Sequence, residues 1–290
     1  MMDGTIDPIV TRPALRWHGG KWRIAPWIIS HFPPHRSYVE PFGGAASVLL
    51  RKPVAQEEVY NDLFDEVVTL FRVLRSEWAN ELIAAVALTP FSRLEFERAY
   101  QFCDCEVETA RRLIVRSFFG YGGGLSINRQ ATGFRSVNKK AGSAPQKPWA
   151  GYPEMLRQIV ERLRGVIIES QPAMDLIAAH DSPDTLFYID PPYPHDTRSG
   201  KTSGGSPYHR YPHEMSDGDH VALLRALRDV EGFVVLSGYE CPLYDDALAD
   251  WWTRTREVRA DGGQARVEKL WINYDPAAVM PEGGLFGGVT

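Results

Sequence analysis

The chain has 290 residues, of which 44% are apolar and 24% charged, and its formal net charge is −5. This composition predicts a globular protein that buries its core as one domain, or as one domain with an insert. We find no charged-then-apolar leader and no apolar run of membrane-spanning length, which predicts a soluble, cytoplasmic protein with no membrane partner. Its cysteines are odd in number and form no Cys-x-x-Cys pair, which disfavours a disulfide framework and a zinc site.

Positive charge is concentrated in one segment of this acidic chain. Between Thr109 and Pro153 the sequence contains no Asp or Glu. A locally basic segment is expected where a DNA phosphate backbone docks, and the alternative is a solvated basic face without a partner. The basic side chains in this segment are Arg111, Arg112, Arg116, Arg129, Arg135, Lys139, Lys140 and Lys147.

The first motif in chain order is Trp17-x-Gly-Gly-Lys21, followed by an amphipathic run over residues 22–31 that predicts a helix. Paired glycines let the backbone approach a ligand closely at the start of a helix, and Lys21 adds a charge there. The motif therefore indicates a ligand site, although the signal is weak when taken alone.

A predicted strand over residues 37–40 runs into Pro41-Phe42-Gly43-Gly44 and then into an apolar helix predicted to reach Arg51. A strand, a glycine turn and a helix form the unit that cradles nucleotides in Rossmann-like folds. A second predicted strand, residues 58–61, ends at Asp62, where an acid usually binds ribose hydroxyls. Turn and acid together favour a cofactor that contains ribose. The glycines are not in the G-x-G-x-x-G form, which disfavours NAD or FAD.

Helical patterns continue from Leu63 to about Phe119, and Ser92 with Glu95 predicts a capping box within them. Aromatic residues at helical spacing are assigned to the core: Phe71, Trp78, Phe96 and Tyr100. The glycine-rich stretch that follows predicts a flexible hairpin over residues 125–137 with polar side chains suited to reading base edges. The side chains assigned to DNA are Arg116, Asn128, Arg129, Arg135, Lys139 and Lys140.

An alternation of strands and helices resumes after a helix predicted over residues 152–164. Strands are predicted over residues 166–169, 186–189, 233–237, 253–258 and 267–274, and helices over residues 173–179, 216–229 and 243–248. The long polar loop over residues 194–215 contains His195, His209 and His213. No carboxylate stands at metal spacing from them, so we interpret them as loop or phosphate-contact residues and expect no metal.

The predicted strand at 186–189 is followed directly by Asp190-Pro191-Pro192-Tyr193, which we assign as the catalytic residues. An exocyclic amine of a nucleobase is a poor nucleophile because its lone pair is delocalised. Hydrogen bonds from this amine to Asp190 and to the Pro191 carbonyl would free the lone pair, and two prolines hold that carbonyl still without offering an N–H donor. Tyr193 would stack on a base swung out of the helix. For this tetrapeptide alone, a simple strand exit into a loop is the alternative.

In their order along the chain, the motifs at 17–21, 39–44, 61–62 and 190–193 resemble those of the DNA adenine methylase (Dam-like, D12 class) family of N6-adenine methyltransferases. The resemblance runs from about residue 15 to residue 274. The chain is similar to the phage and prophage branch through residues 51–53 and 236–239.

The resemblance implies an α/β fold, a Rossmann-like sheet that binds S-adenosylmethionine, with an inserted, mainly helical target-recognition region. It implies a catalytic domain over residues 14–75 and 165–275, a DNA-binding insert over 76–164 and a flexible tail over 276–290. The residues implied around the cofactor are Trp17, Lys21, Glu40, Pro41, Phe42, Gly43, Gly44, Asp62 and Asp190. A residue between 169 and 175 is expected to touch the adenine of the cofactor. The family more often has glycine where this chain has Ala46.

The family resemblance implies methylation of a flipped adenine in double-stranded DNA, and glycines around the polar readers suggest relaxed sequence specificity. Three alternatives remain at this point. N4-cytosine methylation uses a similar amine, but such enzymes more often carry Ser at the position of Asp190. A DNA-binding protein without turnover and a dinucleotide oxidoreductase are the others. The sequence does not predict the oligomeric state.

Overall fold

The computed structural model describes residues 10–17, 19–121, 133–136, 144–194, 213–259 and 265–279. Its centre is a seven-stranded sheet with the order β3-β2-β1-β4-β5-β7-β6. The strands are β1 (Ser37–Glu40), β2 (Glu57–Asn61), β3 (Val166–Glu169), β4 (Thr185–Ile189), β5 (Phe233–Tyr239), β6 (Trp252–Arg259) and β7 (Ala265–Ile272).

Helices cover both faces of this sheet. Those before β3 are α1 (Ala25–Ile29), α2 (Asp65–Leu74), α3 (Ala79–Leu88), α4 (Arg93–Arg98), α5 (Glu106–Phe119), α6 (Gln146–Ala150) and α7 (Tyr152–Arg162). Those after β3 are α8 (Ala173–His180), α9 (Asp217–Asp229), α10 (Pro242–Ala247) and α11 (Pro276–Val279). Within the described ranges, no helix is both long enough and apolar enough to cross a membrane.

The first five strands of the sheet order are parallel, whereas β7 is antiparallel to both β5 and β6. Parallel strands covered by helices on both faces are apolar throughout, and all five residues of β4 are buried. From β1 the strands follow one another outward to β3 on one side of the sheet, and from β4 to β5 on the other side. The direction of strand order therefore changes between β1 and β4, and open α/β sheets bind ligands in the crevice at such a point. The predicted Rossmann-like α/β class is confirmed.

Alternating side chains of the strands supply two apolar layers. In β4, Leu186 and Tyr188 face the layer that contains α2, α3, α5 and α7, whereas Phe187 and Ile189 face α8, α9 and α10. The helices between residues 76 and 164 therefore pack into the same core as one face of the sheet, and α2 and α3 both contact α5.

Most elements predicted from the sequence form at their expected positions, with helix ends that match the expected caps. The Ser216 hydroxyl and the Asp219 carboxylate form the reciprocal capping box that opens α9. The Ser92 hydroxyl accepts the Glu95 N–H at the start of α4, while the Glu95 carboxylate binds Arg111 on α5. The first predicted helix is shorter than expected, since residues 22–24 form turns before α1.

Two predictions of local structure are wrong. The segment after Gly44 is a series of turns instead of an apolar helix, because Gly44 and Ala46 have φ values of 47° and 54°. A left-handed backbone cannot continue a right-handed helix, and glycine adopts this conformation more readily than alanine. Trp78 is 50% exposed, because it precedes the first turn of α3 as its N-cap. Phe71 and Phe96 are buried, as predicted.

A buried ionic cluster joins α7 to β2. Arg162 Nη1 lies 2.6 Å from Glu58 Oε2, and Lys52 Nζ lies 2.6 Å from Glu58 Oε1. Arg162 also donates to the Leu49 carbonyl at 2.5 Å, which fastens the turns after Gly44 to the same point. Burial acts to raise the pKa of Glu58, but the hydrogen bonds and charges of Arg162 and Lys52 outweigh it, so this pKa is lowered.

Replacing Glu58 with glutamine is expected to lower the free energy of unfolding by about 3–5 kcal/mol, because both cations lose their buried counter-charge. The lowered pKa of Glu58 means that its contribution is present above the ordinary carboxyl pKa and disappears as the pH falls through the folded-state value. Urea unfolding of E58Q should therefore show a large deficit at pH 7 that shrinks below pH about 4.

The neighbouring Glu57→Gln variant is the matched control. Glu57 pairs with Arg36 on the surface, where both side chains are exposed. Exposed ion pairs contribute little, so the unfolding midpoint of E57Q should match that of the wild type. An equal loss in both variants would contradict a special role for the buried cluster.

Candidate active site

The carboxyl ends of β1, β2 and β4 open onto a cavity of about 570 Å³. Loops before α1, before α8 and before α9 complete its walls. Every residue that the sequence assigned to cofactor binding lines this cavity: Trp17, Lys21, Glu40, Pro41, Phe42, Gly43, Gly44, Asp62 and Asp190. The fold thus brings together motifs that lie far apart in the sequence.

The Gly43-Gly44 turn has no room for side chains. A Cβ on Gly43 would lie 2.2 Å from Cε2 of Tyr60, and a Cβ on Gly44 would lie 2.8 Å from Nε1 of Trp17. The Gly43 N–H donates to the Asn61 carbonyl at 2.8 Å. Backbone rather than side chain therefore forms this wall, and the Trp17 indole lies directly against it.

Asp62 fixes the glycine turn from the end of β2. Its Oδ2 accepts the Gly44 N–H and its Oδ1 accepts the Phe64 N–H, each at 2.8 Å. Burial raises the pKa of Asp62, and the backbone N–H donors of Phe64 and Gly44 oppose that shift. The carboxylate thus stands at the edge of the cavity with both oxygens oriented by the backbone.

Glu40 forms a buried wall of the same cavity. Its Oε2 accepts hydrogen bonds from the Tyr38 hydroxyl at 2.8 Å and from the Leu49 N–H at 3.0 Å. Burial raises the pKa of Glu40 to about 8, against the effect of these two donors. Burial therefore favours the uncharged form of this carboxyl in the cavity wall.

Asp190 is held by an ion pair and a hydroxyl. Lys21 Nζ lies 2.9 Å from Asp190 Oδ1, and the Ser237 hydroxyl donates to the same oxygen at 3.1 Å. Both contacts use Oδ1, which leaves Oδ2 without either of these donors. Burial raises the pKa of Asp190, while the charge and hydrogen bond of Lys21 lower it. The ion pair therefore favours the carboxylate form in a buried place.

Tyr193 is 4% exposed and held at its hydroxyl. Lys21 Nζ donates to the Tyr193 oxygen at 2.5 Å, and the Tyr193 hydroxyl donates to Glu268 Oε1 at 2.8 Å. Its ring meets the Tyr239 ring edge-on at a centroid distance of 4.7 Å. Between Asp190 and Tyr193, Pro191 is buried and Pro192 lines the cavity.

Several residues of the site were not identified from the sequence. Ser237 meets Asp190 because β4 pairs with β5, and Glu268 approaches Tyr193 because β5 and β7 pair with Tyr239 opposite Glu268. The sequence signal that could have identified a site residue here is Ser237, a polar residue within the mostly apolar strand β5. Near α8, where the sequence left a contact unassigned, the cavity is lined by residues 172–174, and before α9 by residues 213–215. His213 is among them, whereas His195 and His209 lie outside the described residues.

Arg116 does not lie where DNA could reach it. The side chain is 4% exposed, it donates to the Ala99 carbonyl at 2.6 Å, and it forms an ion pair with Glu66. Arg111 and Arg112 are bound in turn by Glu108, one helical turn away. The basic segment of the sequence is thus partly neutralised inside the fold, which corrects the assignment of Arg116 to DNA contacts.

Arg135 lies at the base of the predicted hairpin. Its N–H donates to the Phe119 carbonyl at 2.7 Å, and Gly120 forms an antiparallel bridge with Phe134. The half-buried guanidinium donates to the Phe118 carbonyl at 3.3 Å, and burial lowers the pKa of Arg135. The other residues assigned to DNA are not in the part of the chain that the structure describes: Asn128, Arg129, Lys139 and Lys140.

The described residues contain no group of three His, Cys, Asp or Glu side chains arranged to hold a metal ion.

Comparison with known proteins identifies the family. The model for D12 class N6 adenine-specific DNA methyltransferases matches residues 17–258. A DNA adenine methylase of Escherichia coli (strain K12) is 24% identical over 287 residues, which covers 93% of this chain and 98% of that protein. One from Salmonella typhi is 23% identical over 289 residues, with the same coverage of 93% and 98%. One from Vibrio cholerae serotype O1 is 26% identical over 200 residues, which covers 66% of this chain and 69% of that protein.

The family match spans most of the chain and all four motifs that predicted it. The chain therefore belongs to the D12 class of N6 adenine-specific DNA methyltransferases, and its reaction is methylation of the exocyclic N6 amine of adenine in DNA.

Proposed function

We propose that this enzyme binds S-adenosylmethionine in the 570 Å³ cavity and methylates an adenine that has been swung out of double-stranded DNA. One observation carries the proposal. Asp190 lines the same cavity as the glycine turn and Asp62, and Lys21 and Ser237 hold one of its carboxylate oxygens. The acceptor for the amine and the cradle for the methyl donor are thus adjacent.

The cavity suits this cofactor in shape and chemistry. Gly43 and Gly44 leave bare backbone where a Cβ would clash, so the wall is formed for close approach of a ligand. Asp62 stands at the end of β2 and would accept hydrogen bonds from ribose hydroxyls. Trp17 and Phe42 add apolar surface. When bound, the cofactor supplies an activated methyl group on a sulfonium.

Asp190 and Pro191 would prepare the amine. The Asp190 carboxylate and the Pro191 carbonyl would each accept one N–H of the adenine amine, which frees the nitrogen lone pair. Burial raises the pKa of Asp190, and the charge and hydrogen bond of Lys21 oppose that shift, so Lys21 favours the charged form of this acceptor. Holding the reactants in line accounts for about 7–11 kcal/mol of the lowered barrier. The surplus proton of the methylated amine then passes to solvent.

We propose that residues 76–164 recognise DNA, that residues 14–75 and 165–275 form the catalytic domain, and that residues 276–290 form a tail. Arg135 lies at the base of the hairpin that is proposed to contact the edges of DNA bases. Asn128, Arg129, Lys139 and Lys140 are proposed to contact bases and phosphates, and Arg116 is removed from this group because it is buried.

Replacing Asp190 with alanine should reduce methyl transfer at least about 100-fold, because the charged acceptor for the amine is lost. Genomic DNA lacking methylation would be incubated with the protein and S-adenosylmethionine, digested, and its nucleosides quantified by mass spectrometry. The wild type should produce N6-methyladenine and D190A almost none, while DNA binding by gel shift is retained.

Asp184→Ala tests the opposite end of β4 and should keep full activity, since Asp184 is exposed and away from the cavity. Turnover by D190A at the wild-type rate would refute the mechanism. N4-methylcytosine as the product would overturn the substrate assignment.

Replacing Tyr193 with alanine should weaken capture of the extruded adenine, because stacking of a base on an aromatic ring contributes about 1–3 kcal/mol. A DNA duplex with 2-aminopurine at the target would report extrusion as a rise in fluorescence. Tyr193→Phe keeps the ring and should keep the rise. Full extrusion by the alanine variant would show that the ring does not hold the base.

Relaxed sequence specificity is the third expectation, since glycines surround the proposed readers in the insert. A plasmid methylated to completion in vitro and sequenced for modified bases should show N6-methyladenine in many contexts. Modification confined to one short palindrome would contradict this hypothesis.

A further inference from the structure

We propose that Glu268 is a positioning residue for methyl transfer, which acts through the Tyr193 hydroxyl to fix the ring that is proposed to stack on the target base. The inference rests on the proposed function, because it assigns Glu268 a part in that reaction.

A continuous set of hydrogen bonds connects Glu268 to the reacting carboxylate. Glu268 Oε1 accepts from the Tyr193 hydroxyl at 2.8 Å, and the Tyr193 oxygen accepts from Lys21 Nζ at 2.5 Å. Lys21 Nζ lies 2.9 Å from Asp190 Oδ1 and 3.5 Å from Glu268 Oε1. Lys21 is also held by Asp190 and by the Gly19 carbonyl, so the loss of Glu268 should release mainly the Tyr193 hydroxyl.

The position of Glu268 in β7 is unusual for a charged residue. It is 3% exposed, and the next residues on the same face, Leu270 and Ile272, belong to the apolar core. A buried carboxylate is costly unless it is paired, so an apolar side chain would be the simpler choice for the fold. The pairing partners here are Tyr193 and Lys21, both parts of the site.

Glu268 lies outside the wall of the cavity. Lys21 and Asp190 line the cavity, whereas Glu268 and Tyr193 do not. The cofactor would therefore touch Lys21 without touching Glu268. A change at Glu268 should alter the rate of transfer while leaving the affinity for S-adenosylmethionine intact.

Charge couples Glu268 to Asp190. Two carboxylates share the single ammonium of Lys21, and both burial and the charge of Asp190 raise the pKa of Glu268 while Lys21 lowers it. Removing the charge of Glu268 should then lower the pKa of Asp190, because a repelling neighbour is gone. The titratable and charged groups facing Glu268 from the surrounding elements are Lys21, Tyr188, Asp190, Tyr193, Tyr239 and Arg256.

Two substitutions separate position from charge. Glu268→Ala removes the acceptor of the Tyr193 hydroxyl, and kcat should fall on the order of 10- to 100-fold, as expected for a lost hydrogen bond to a charged group. Glu268→Gln keeps an acceptor and removes the charge. It should retain most of kcat at high pH, and the acid limb of its pH profile should move to lower pH. Methylation kinetics on DNA from pH 5 to 9 would measure both effects.

A double-mutant cycle tests whether Glu268 and the Tyr193 hydroxyl act as one unit. If Glu268 acts through the Tyr193 hydroxyl, the E268A/Y193F protein should be as active as Y193F alone, within about twofold. Extrusion of 2-aminopurine should persist in Y193F while its kcat falls. Glu257→Gln on β6 is the matched control, since Glu257 is exposed, and it should behave as the wild type.

Thermal unfolding and calorimetric binding of S-adenosylmethionine accompany each variant. Should E268A fail to fold, the pH profile of the isosteric E268Q decides, and an acid limb unchanged from the wild type overturns the proposal. Fully additive losses in the cycle, or wild-type rates in both Glu268 variants, also overturn it. Wild-type protein that makes no N6-methyladenine would instead refute the proposed function itself, and this measurement comes first.

Discussion

The ion pair between Lys21 and Asp190 is the contact on which the site depends. It joins the loop before α1 to the end of β4, two segments far apart in the chain, at a distance of 2.9 Å. Removing two charges from water is costly, and the loss of Lys21 would leave the Asp190 carboxyl buried without this counter-charge. This ion pair thus joins the first motif of the chain to the last one, and the remaining walls of the cavity surround it.

The glycine turn complements this ion pair by steric exclusion. Trp17 and Tyr60 occupy the space that side chains at residues 43 and 44 would need, and the Asp62 carboxylate binds the Gly44 N–H. The turn, the indole and the acid therefore support one another, and a change in one of them would disturb the others. Ala46 continues the turn in a left-handed conformation, with a φ of 54°.

Local patterns predicted much of this arrangement. Apolar runs bounded by turns located the strands, and four motifs located the cavity, because side chains at the carboxyl ends of neighbouring parallel strands must meet. Contacts that depend on pairing between distant strands were not predictable, and Glu268 was missed because its approach to Tyr193 depends on the register of β5 and β7. Arg116 was assigned wrongly because sequence alone does not show that Glu66 faces it across two packed helices.

The proposed chemistry of transfer gives a reason for a carboxylate beside the amine. As the methyl group bonds to N6, positive charge develops on that nitrogen, next to Asp190 in the proposed mechanism. Lys21 Nζ lies 2.9 Å from Asp190 Oδ1 and 3.5 Å from Glu268 Oε1, and Glu268 binds the Tyr193 hydroxyl. Negative charge fixed in place before the reaction stabilises such a cation without reorganisation of the site. An apolar residue at position 268 would simplify folding but would release the Tyr193 hydroxyl, which the proposed mechanism needs held in place. The buried carboxylate on β7 is therefore better explained by the reaction than by stability.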